Sequence, residues 1–215
     1  MKKILFVLTL SLLVFTTNCK KEVIRVEKTK LELKDGKLLF EGSEFSGIAF
    51  KNYNEGNLGS EWTIENGVEN GLNTTYHPNG KINEKITWKN GLRDGPYEKY
   101  FDSGQMEVKA QFAKNEKDGY FETYHKNGAL WGKGYYDMGK LEGTVEEFFE
   151  DGTISKRTTW RLNVMQGPFE GYYPNGQMNI VGNYKNSLKD GTFEFYSENG
   201  ELKETAIFEN GVRIE

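Results

Sequence analysis

The sequence predicts an all-β fold built from seven tandem β-hairpins, and three observations lead to this prediction. First, a glycine recurs every 24 residues from Gly47 to Gly191, and a second glycine follows each one after nine residues. Second, Asn-Gly, Asp-Gly or Ser-Gly pairs, which favour tight turns, separate short runs rich in aromatic and β-branched residues. Third, no segment after residue 18 shows sustained helical periodicity, so no helix is expected there.

Residues 1–18 form a segment separate from the repeats. Lys2 and Lys3 precede an apolar run, and small or polar residues follow it, as in a secretion signal. No second membrane span follows in the sequence. Cys19 comes next and is the only cysteine, so internal disulfides and cysteine-based metal sites are excluded.

The junction at Cys19 resembles a bacterial lipoprotein lipobox. That resemblance implies that Cys19 becomes the first residue of the mature protein and carries the acyl chains. Asn18 departs from the usual pattern, which has Gly, Ala or Ser at this place. The alternative is an ordinary cleaved signal peptide that leaves a free thiol.

The segments that follow the signal differ from the repeats. Residues 19–28 are charged and read as a lipidated cysteine with a tether. Residues 29–46 are interpreted as an atypical hairpin, turning at Asp35-Gly36, that caps the array at residues 47–215. The formal charge is −4 for the whole chain. It becomes more negative once Lys2 and Lys3 are removed, which argues against nucleic-acid binding.

The register of each hairpin can be predicted from its turn. Positions are counted from the opening glycine of each unit, which is position 0. If the turn contains only positions 8 and 9, positions that sum to 17 face each other. Glu98 then faces Lys109, and Phe121 faces Gly134, so opposite charges meet and a ring covers a glycine.

One face of the predicted sheet carries most of the apolar side chains. In this register positions 2, 6, 11, 13, 15 and 17 point to that face and form the core. Two units show it well, with Phe101, Met106, Val108 and Phe112 in one and Tyr173, Met178, Ile180 and Tyr184 in the other. A long apolar face must roll on itself, pair with a second copy as a homodimer, or bind something, and the sequence leaves these open.

The opposite, polar face carries one aromatic ring in nearly every unit at position 5. These rings are Tyr76, Tyr100, Tyr124, Phe148, Tyr172 and Tyr196. One interpretation is a binding stripe for a peptide, glycan or protein, because tyrosine offers contact area with a polar tip. The other is reinforcement of the sheet, with rings packed over cross-strand neighbours, such as Tyr124 opposite Trp131.

The unit with the form Asp-Gly-aromatic-Glu-x-Tyr-x-x-Asn-Gly-x-Leu, seen at 118–130 and 190–202, resembles the MORN repeat variant. The resemblance covers residues 47–215 and implies an elongated, single-layer antiparallel sheet that acts as an interaction scaffold. Bacterial members of its YwqK-like group are often labelled antitoxins. The sequence departs from the pattern at Asn115, Asn163 and Ser187, which replace a third glycine, and at Asn52, which replaces the ring.

The sequence offers no catalytic constellation. His77 and His125 occupy a position where other units carry Tyr or Phe, so we interpret them as ring substitutes and not as metal ligands. At least three of the position 3 glutamates face a cation, which favours an ion-pair ladder over general acids. No phosphate loop, nucleophile elbow or HExxH motif occurs. We therefore expect no enzyme activity, metal or cofactor.

Together these features predict a lipid-anchored protein of the bacterial cell envelope, in the outer membrane or at the cell surface. Its array is expected to bind a protein partner or a cell-wall component, with the membrane reached through the lipid. The alternative is an antitoxin or immunity protein that neutralises a toxin by direct binding.

Overall fold

The computed structural model describes residues 23–53 and 56–215, so the signal segment and Cys19 lie outside the described residues. The described residues form a 19-stranded sheet and a small three-stranded sheet. Their one helix is a 3₁₀ turn, η1 (Lys28–Lys30). No helix in these ranges is long and apolar enough to cross a membrane.

The N-terminal part contains four short strands: β1 (Arg25–Glu27), β2 (Glu32–Lys34), β3 (Lys37–Phe40) and β4 (Ser43–Glu44). The array continues with β5 (Gly47–Asn52), β6 (Leu58–Glu65), β7 (Val68–Glu69), β8 (Gly71–Tyr76), β9 (Ile82–Lys89), β10 (Leu92–Tyr100), β11 (Met106–Ala113), β12 (Glu116–Lys117), β13 (Gly119–Tyr124), β14 (Leu130–Asp137), β15 (Lys140–Phe148), β16 (Ile154–Arg161), β17 (Val164–Tyr172), β18 (Met178–Lys185), β19 (Leu188–Lys189), β20 (Gly191–Tyr196), β21 (Leu202–Glu209) and β22 (Val212–Arg213). Each unit contributes two long strands.

The predicted all-β, antiparallel array of hairpins is confirmed. Consecutive strands pair in chain order, and the described parallel pair is β1 with β5. The sheet is open, because no described pairing joins β1 to β22. The long apolar face therefore does not close into a barrel.

The predicted register is confirmed near the open end of each hairpin. Glu98 pairs with Lys109, and Phe121 pairs with Gly134. The ring at Phe121 fills the space beside Gly134, where an added Cβ would lie 2.8 Å from the ring. An added Cβ at Gly182 would meet Phe193 of the next unit at 2.4 Å, so rings also cover glycines across unit boundaries.

The prediction of a two-residue turn within each unit is wrong. The N–H of Phe101 donates to the carbonyl of Gln105, and the N–H of Gly104 donates to the carbonyl of Phe101. The loop therefore contains three residues and ends on Gly104, whose φ of 89° is left-handed. This is the loop in which a glycine bulge follows a type I turn.

A bulge beside this loop overturns part of the predicted face assignment. The register shifts between Lys99 and Tyr100, so Tyr100 pairs with Met106. Met106 and its equivalent Met178 thus lie with the ring stripe and not on the core face, because paired residues point to the same side. For the same reason Tyr124 pairs with Leu130, and the prediction of Trp131 opposite Tyr124 is wrong.

Two-residue turns do occur, between the units. Asn90 and Gly91 have φ values of 51° and 78°, as a type I′ turn requires. Asn115, Asn163 and Ser187 adopt positive φ at the position of Gly91, so the departures from the glycine pattern keep the turn. The Oδ1 of Asn115 accepts a hydrogen bond from the N–H of Arg93, and the Oγ of Ser187 accepts one from the N–H of Met165. Both N–H groups lie just after the preceding turn between units.

The core face is covered largely by its own side chains. Rings from neighbouring strands and units meet edge to face, and the ring of Tyr184 lies 5.3 Å from Phe169 and 5.7 Å from Phe193. Basic side chains lie over several rings, with Arg93 4.6 Å from the centre of Phe112. Such contacts exclude water from a single layer.

The N-terminal segment packs against the first unit. Strands β2 and β3 pair across the predicted turn at Asp35-Gly36, and β4 adds a third strand to this small sheet. Val26 and Phe45 join Ala49 and Ile64 in one buried cluster. This cluster covers the apolar face at the first edge of the array.

Candidate protein-interaction surface

The six rings of the ring stripe lie on one face of the sheet, and each is half-buried. Each ring pairs with an aliphatic side chain on the neighbouring strand. This aliphatic row consists of Ile82, Met106, Leu130, Ile154, Met178 and Leu202. Together the two rows make an apolar band along the face that the sequence predicts to be polar.

The tyrosine hydroxyls of the stripe are held by glutamates. Tyr100 donates to Glu98 at 2.6 Å and Tyr124 to Glu122 at 2.7 Å, two residues earlier on the same strand. Tyr172 does the same with Glu170. The polar tips of these rings are therefore engaged within the protein, which leaves the ring edges and faces for contact with another molecule.

The glutamates also belong to a charged row that crosses the unit boundaries. Each position 3 glutamate lies between the position 14 residues of its own unit and of the preceding unit. Along the row these residues are Lys85, Glu98, Lys109, Glu122, Lys133, Glu146, Arg157 and Glu170. The sequence predicted only the pairs within one hairpin.

Glu146 is the best-connected member of the charged row. It lies 2.9 Å from the Lys133 ammonium of the preceding unit and 2.9 Å from the Arg157 guanidinium of its own unit. Arg157 continues to Glu170 at 3.2 Å. The hydrogen bonds from Lys133 and Arg157 lower the pKa of Glu146. This carboxyl group is thus held charged and is unsuited to be a general acid.

The environment of the stripe keeps its tyrosines protonated. Burial, together with the hydrogen bond to Glu122 and the charge of that carboxylate, raises the pKa of Tyr124 to about 12. Burial and Glu98 raise the pKa of Tyr100 to about 12 in the same way. The stripe therefore presents neutral rings at any physiological pH.

The two histidines join consecutive units. The Nε2 of His77 lies 2.9 Å from the carbonyl oxygen of Tyr100, and that of His125 lies 3.0 Å from the carbonyl oxygen of Phe148. Because a carbonyl oxygen only accepts, each Nε2 carries the proton and donates. Tyr173 makes the equivalent bond to Tyr196 with its hydroxyl. The hydroxyl of Tyr53, at position 6 of the first unit, donates to the carbonyl oxygen of Tyr76 in the same way and so joins the first two units.

The described residues contain no cluster of three or more His, Cys, Asp or Glu side chains that could hold a metal ion. The aliphatic row is the part of the surface that sequence reasoning missed. The sequence does contain a pattern that indicates this row, since an aliphatic residue recurs two places after the second glycine of every unit. The assumed two-residue turn assigned it to the opposite face.

Comparison with known proteins identifies the repeat. The segments 69–90, 93–114, 117–138, 165–186 and 189–210 match the MORN repeat variant family and together span just over half of the chain. The intervening unit forms the same hairpin, with Glu146 paired to Arg157. No curated protein matches the chain. From its repeats and their fold, the chain belongs to the MORN repeat variant family.

Proposed function

We propose that this protein is a non-enzymatic lipoprotein, anchored through Cys19 in the bacterial cell envelope, whose array binds a protein partner. The apolar band and the charged row form the binding surface. MORN repeats are commonly modules for interaction with proteins or membranes, and the family is generally not enzymatic. The signal segment and its following cysteine support the anchor.

The observation that carries the proposal is the continuity of this surface. Rings and aliphatic side chains recur in the same places from the second unit to the last, and the charged row runs beside them from Lys85 to Glu170. An extended surface of this kind suits a long partner segment, whereas catalysis requires different groups that converge in one pocket.

Replacement of Tyr100, Tyr124 and Tyr172 by Ser should weaken partner binding and leave the fold intact. The partner is recovered from solubilised envelope after chemical cross-linking, and circular dichroism checks the fold. The matched control replaces the same residues by Phe, which keeps the rings and removes the hydroxyls. Unfolding of the Ser variant alone would show that the stripe is structural.

The anchor is tested by labelling the native host with radioactive palmitate and comparing the natural chain with Cys19→Ala. Loss of label and of membrane association together would establish the lipoprotein. A soluble, unlabelled natural chain would contradict the envelope location.

That second result would favour the antitoxin alternative. The label of the YwqK-like group and a surface suited to masking another protein support this alternative. It predicts that deletion of the chain exposes the host to a toxin and that expression of the array restores growth. A deletion strain that grows normally under all conditions tested would count against it.

A further inference from the structure

One groove on the stripe face departs from the repeat. Its wall is formed by Tyr120 and Tyr135, which pair directly across one hairpin at positions 1 and 16. Their ring centroids lie 5.1 Å apart in an edge-to-face contact. In the other units, positions 1 and 16 together carry at most one large apolar side chain. Examples are Pro96 with Gln111, Thr144 with Thr159, Pro168 with Asn183, and Thr192 with Ile207.

The ring of Tyr120 is exposed to solvent. Its side chain is 78% exposed, the highest value among the large hydrophobic residues that are described. The ring therefore contributes little to the packing of the sheet. Large exposed rings that border a cavity are typical of contact sites for a partner.

The groove is large enough to hold a side chain together with part of the backbone that carries it. It encloses about 920 Å³ between the hairpin of Tyr120 and the next hairpin, where Gly143 and Thr144 leave space. Its walls also contain Glu122 and Glu142.

The charges in the groove are unbalanced. Lys133 and Arg157 both line it, but both are bound to Glu146. Glu122 and Glu142 form no ion pair with any described residue. Each accepts one hydrogen bond through Oε2, from the hydroxyl of Tyr124 and from the N–H of Leu162 respectively. Their Oε1 atoms have no partner among the described residues.

The rings of the groove also lack a cation. On the core face Arg93 lies over Phe112, and Lys117 lies 5.0 Å from the ring centre of Tyr136. No described cation lies over Tyr120 or Tyr135. These two rings and two carboxylates that form no ion pair together attract a positive, planar group.

We infer that this groove binds an arginine side chain from an extended segment of a protein partner. The guanidinium stacks on Tyr120 or Tyr135 and donates hydrogen bonds to Glu122 and Glu142. Arginine fits better than lysine because its planar group can stack and bind a carboxylate with two N–H groups at once. The inference rests on the proposed function, since it supplies one specific contact for a protein bound along the stripe.

The test uses three fluorescent peptides of about nine residues, with arginine, lysine or citrulline alternating with glycine and serine. Fluorescence anisotropy should show the arginine peptide bound most tightly by the array, and the neutral, isosteric citrulline peptide not bound. Tyr120→Ser should weaken binding by roughly 3- to 30-fold, the range of one cation–π contact. Glu122→Gln should also weaken binding, because it removes the charge from one carboxylate that accepts from the guanidinium. Trp131→Ser is the matched control, because it removes an exposed ring of the same unit that does not line the groove.

Equal binding of the arginine and citrulline peptides, or unchanged binding by Tyr120→Ser, would overturn the inference. Saturation by chitotetraose at the same site with no arginine preference would also overturn it and indicate a sugar site. Failure here is distinguishable from failure of the proposed function. If the Ser variant of the stripe still loses its partner while Tyr120→Ser binds like the natural chain, only the arginine site is wrong.

Discussion

At the scale of single residues, the two tryptophans at position 17 show how one neighbour decides whether a polar atom is satisfied. The Nε1 of Trp160 donates to the Thr158 hydroxyl at 2.7 Å. The equivalent Nε1 of Trp88 is buried and has no hydrogen-bond partner among the described residues. The residue two places before it is Ile86, which offers no acceptor.

We expect Thr158→Val to destabilise the fold. Valine has the same shape but cannot accept from Trp160, so the free energy of unfolding should fall by about 1 to 3 kcal/mol in a urea titration. Ile86→Thr is the reciprocal change, because it offers Trp88 an acceptor and should be nearly neutral or stabilising. An unchanged midpoint for Thr158→Val would show that the indole bond contributes nothing.

The hydrogen bond between Tyr124 and Glu122 predicts a change in tyrosine ionisation. Burial and Glu122 raise the pKa of Tyr124 to about 12, and Glu122→Gln removes the charge while leaving burial. The variant should therefore ionise one tyrosine at lower pH, as seen in the ultraviolet absorbance of tyrosinate. Because the folded pKa is raised, this contribution to stability is complete below the unfolded pKa of about 10 and is lost as pH rises through about 12. Identical titrations of both proteins would contradict the network.

At the scale of the hairpin, the sequence predicted the fold well but missed the loop. The charge pairs and the rings beside glycines identified the register at positions far from the turn, as at Glu98 with Lys109. The Asn-Gly signal could not distinguish a two-residue turn from a three-residue loop, since both place glycine at positive φ. One extra residue in the loop reverses the face to which the following side chains point. Met106 and its equivalents therefore lie on the same face as the ring stripe.

The turns between units offer a test of this local chemistry. Met138 is the first residue of a type I′ turn, has a φ of 42° and is 72% exposed. Four other such turns between units carry Asn there, at 66, 90, 186 and 210. Met138→Asn should raise the free energy of unfolding by about 0.5 to 1 kcal/mol, because Asn tolerates this conformation and little packing is lost.

Asn90→Met is the reverse control and should lower stability by a similar amount. Thermal unfolding followed by circular dichroism measures both changes. A destabilised Met138→Asn protein would mean that the methionine side chain packs more than its exposure indicates.

At the scale of the whole molecule, the open sheet makes each unit depend mainly on its neighbours. Neighbouring rings and basic side chains cover part of the core face, as at Phe112 under Arg93. The sequence left open what covers this face, since lateral ring contacts depend on the twist between strands. The stripe residues were identified from the sequence, but their binding role stays a prediction.

Deletion of residues 191–215 should leave the remaining array folded. Stability in a repeat protein is close to a sum over units and their interfaces, so the midpoint of unfolding should fall gradually as units are removed.

Deletion of residues 23–46 should destabilise the array and also cause aggregation, because it exposes the buried cluster at Ala49 and the free edge of β5. Size-exclusion chromatography and circular dichroism check both proteins. Complete unfolding after loss of the last unit would show that the array is one cooperative domain.

We propose that the stripe face, displayed from the envelope, contacts a protein. The most direct measurement places a photo-cross-linking amino acid at Tyr120 on the stripe face or at Lys117 on the core face, in the native host. We predict one defined adduct from position 120 in the membrane fraction, lost when the stripe tyrosines are changed to Ser, and none from position 117. Adducts from position 117 alone, or from neither position, would contradict the account.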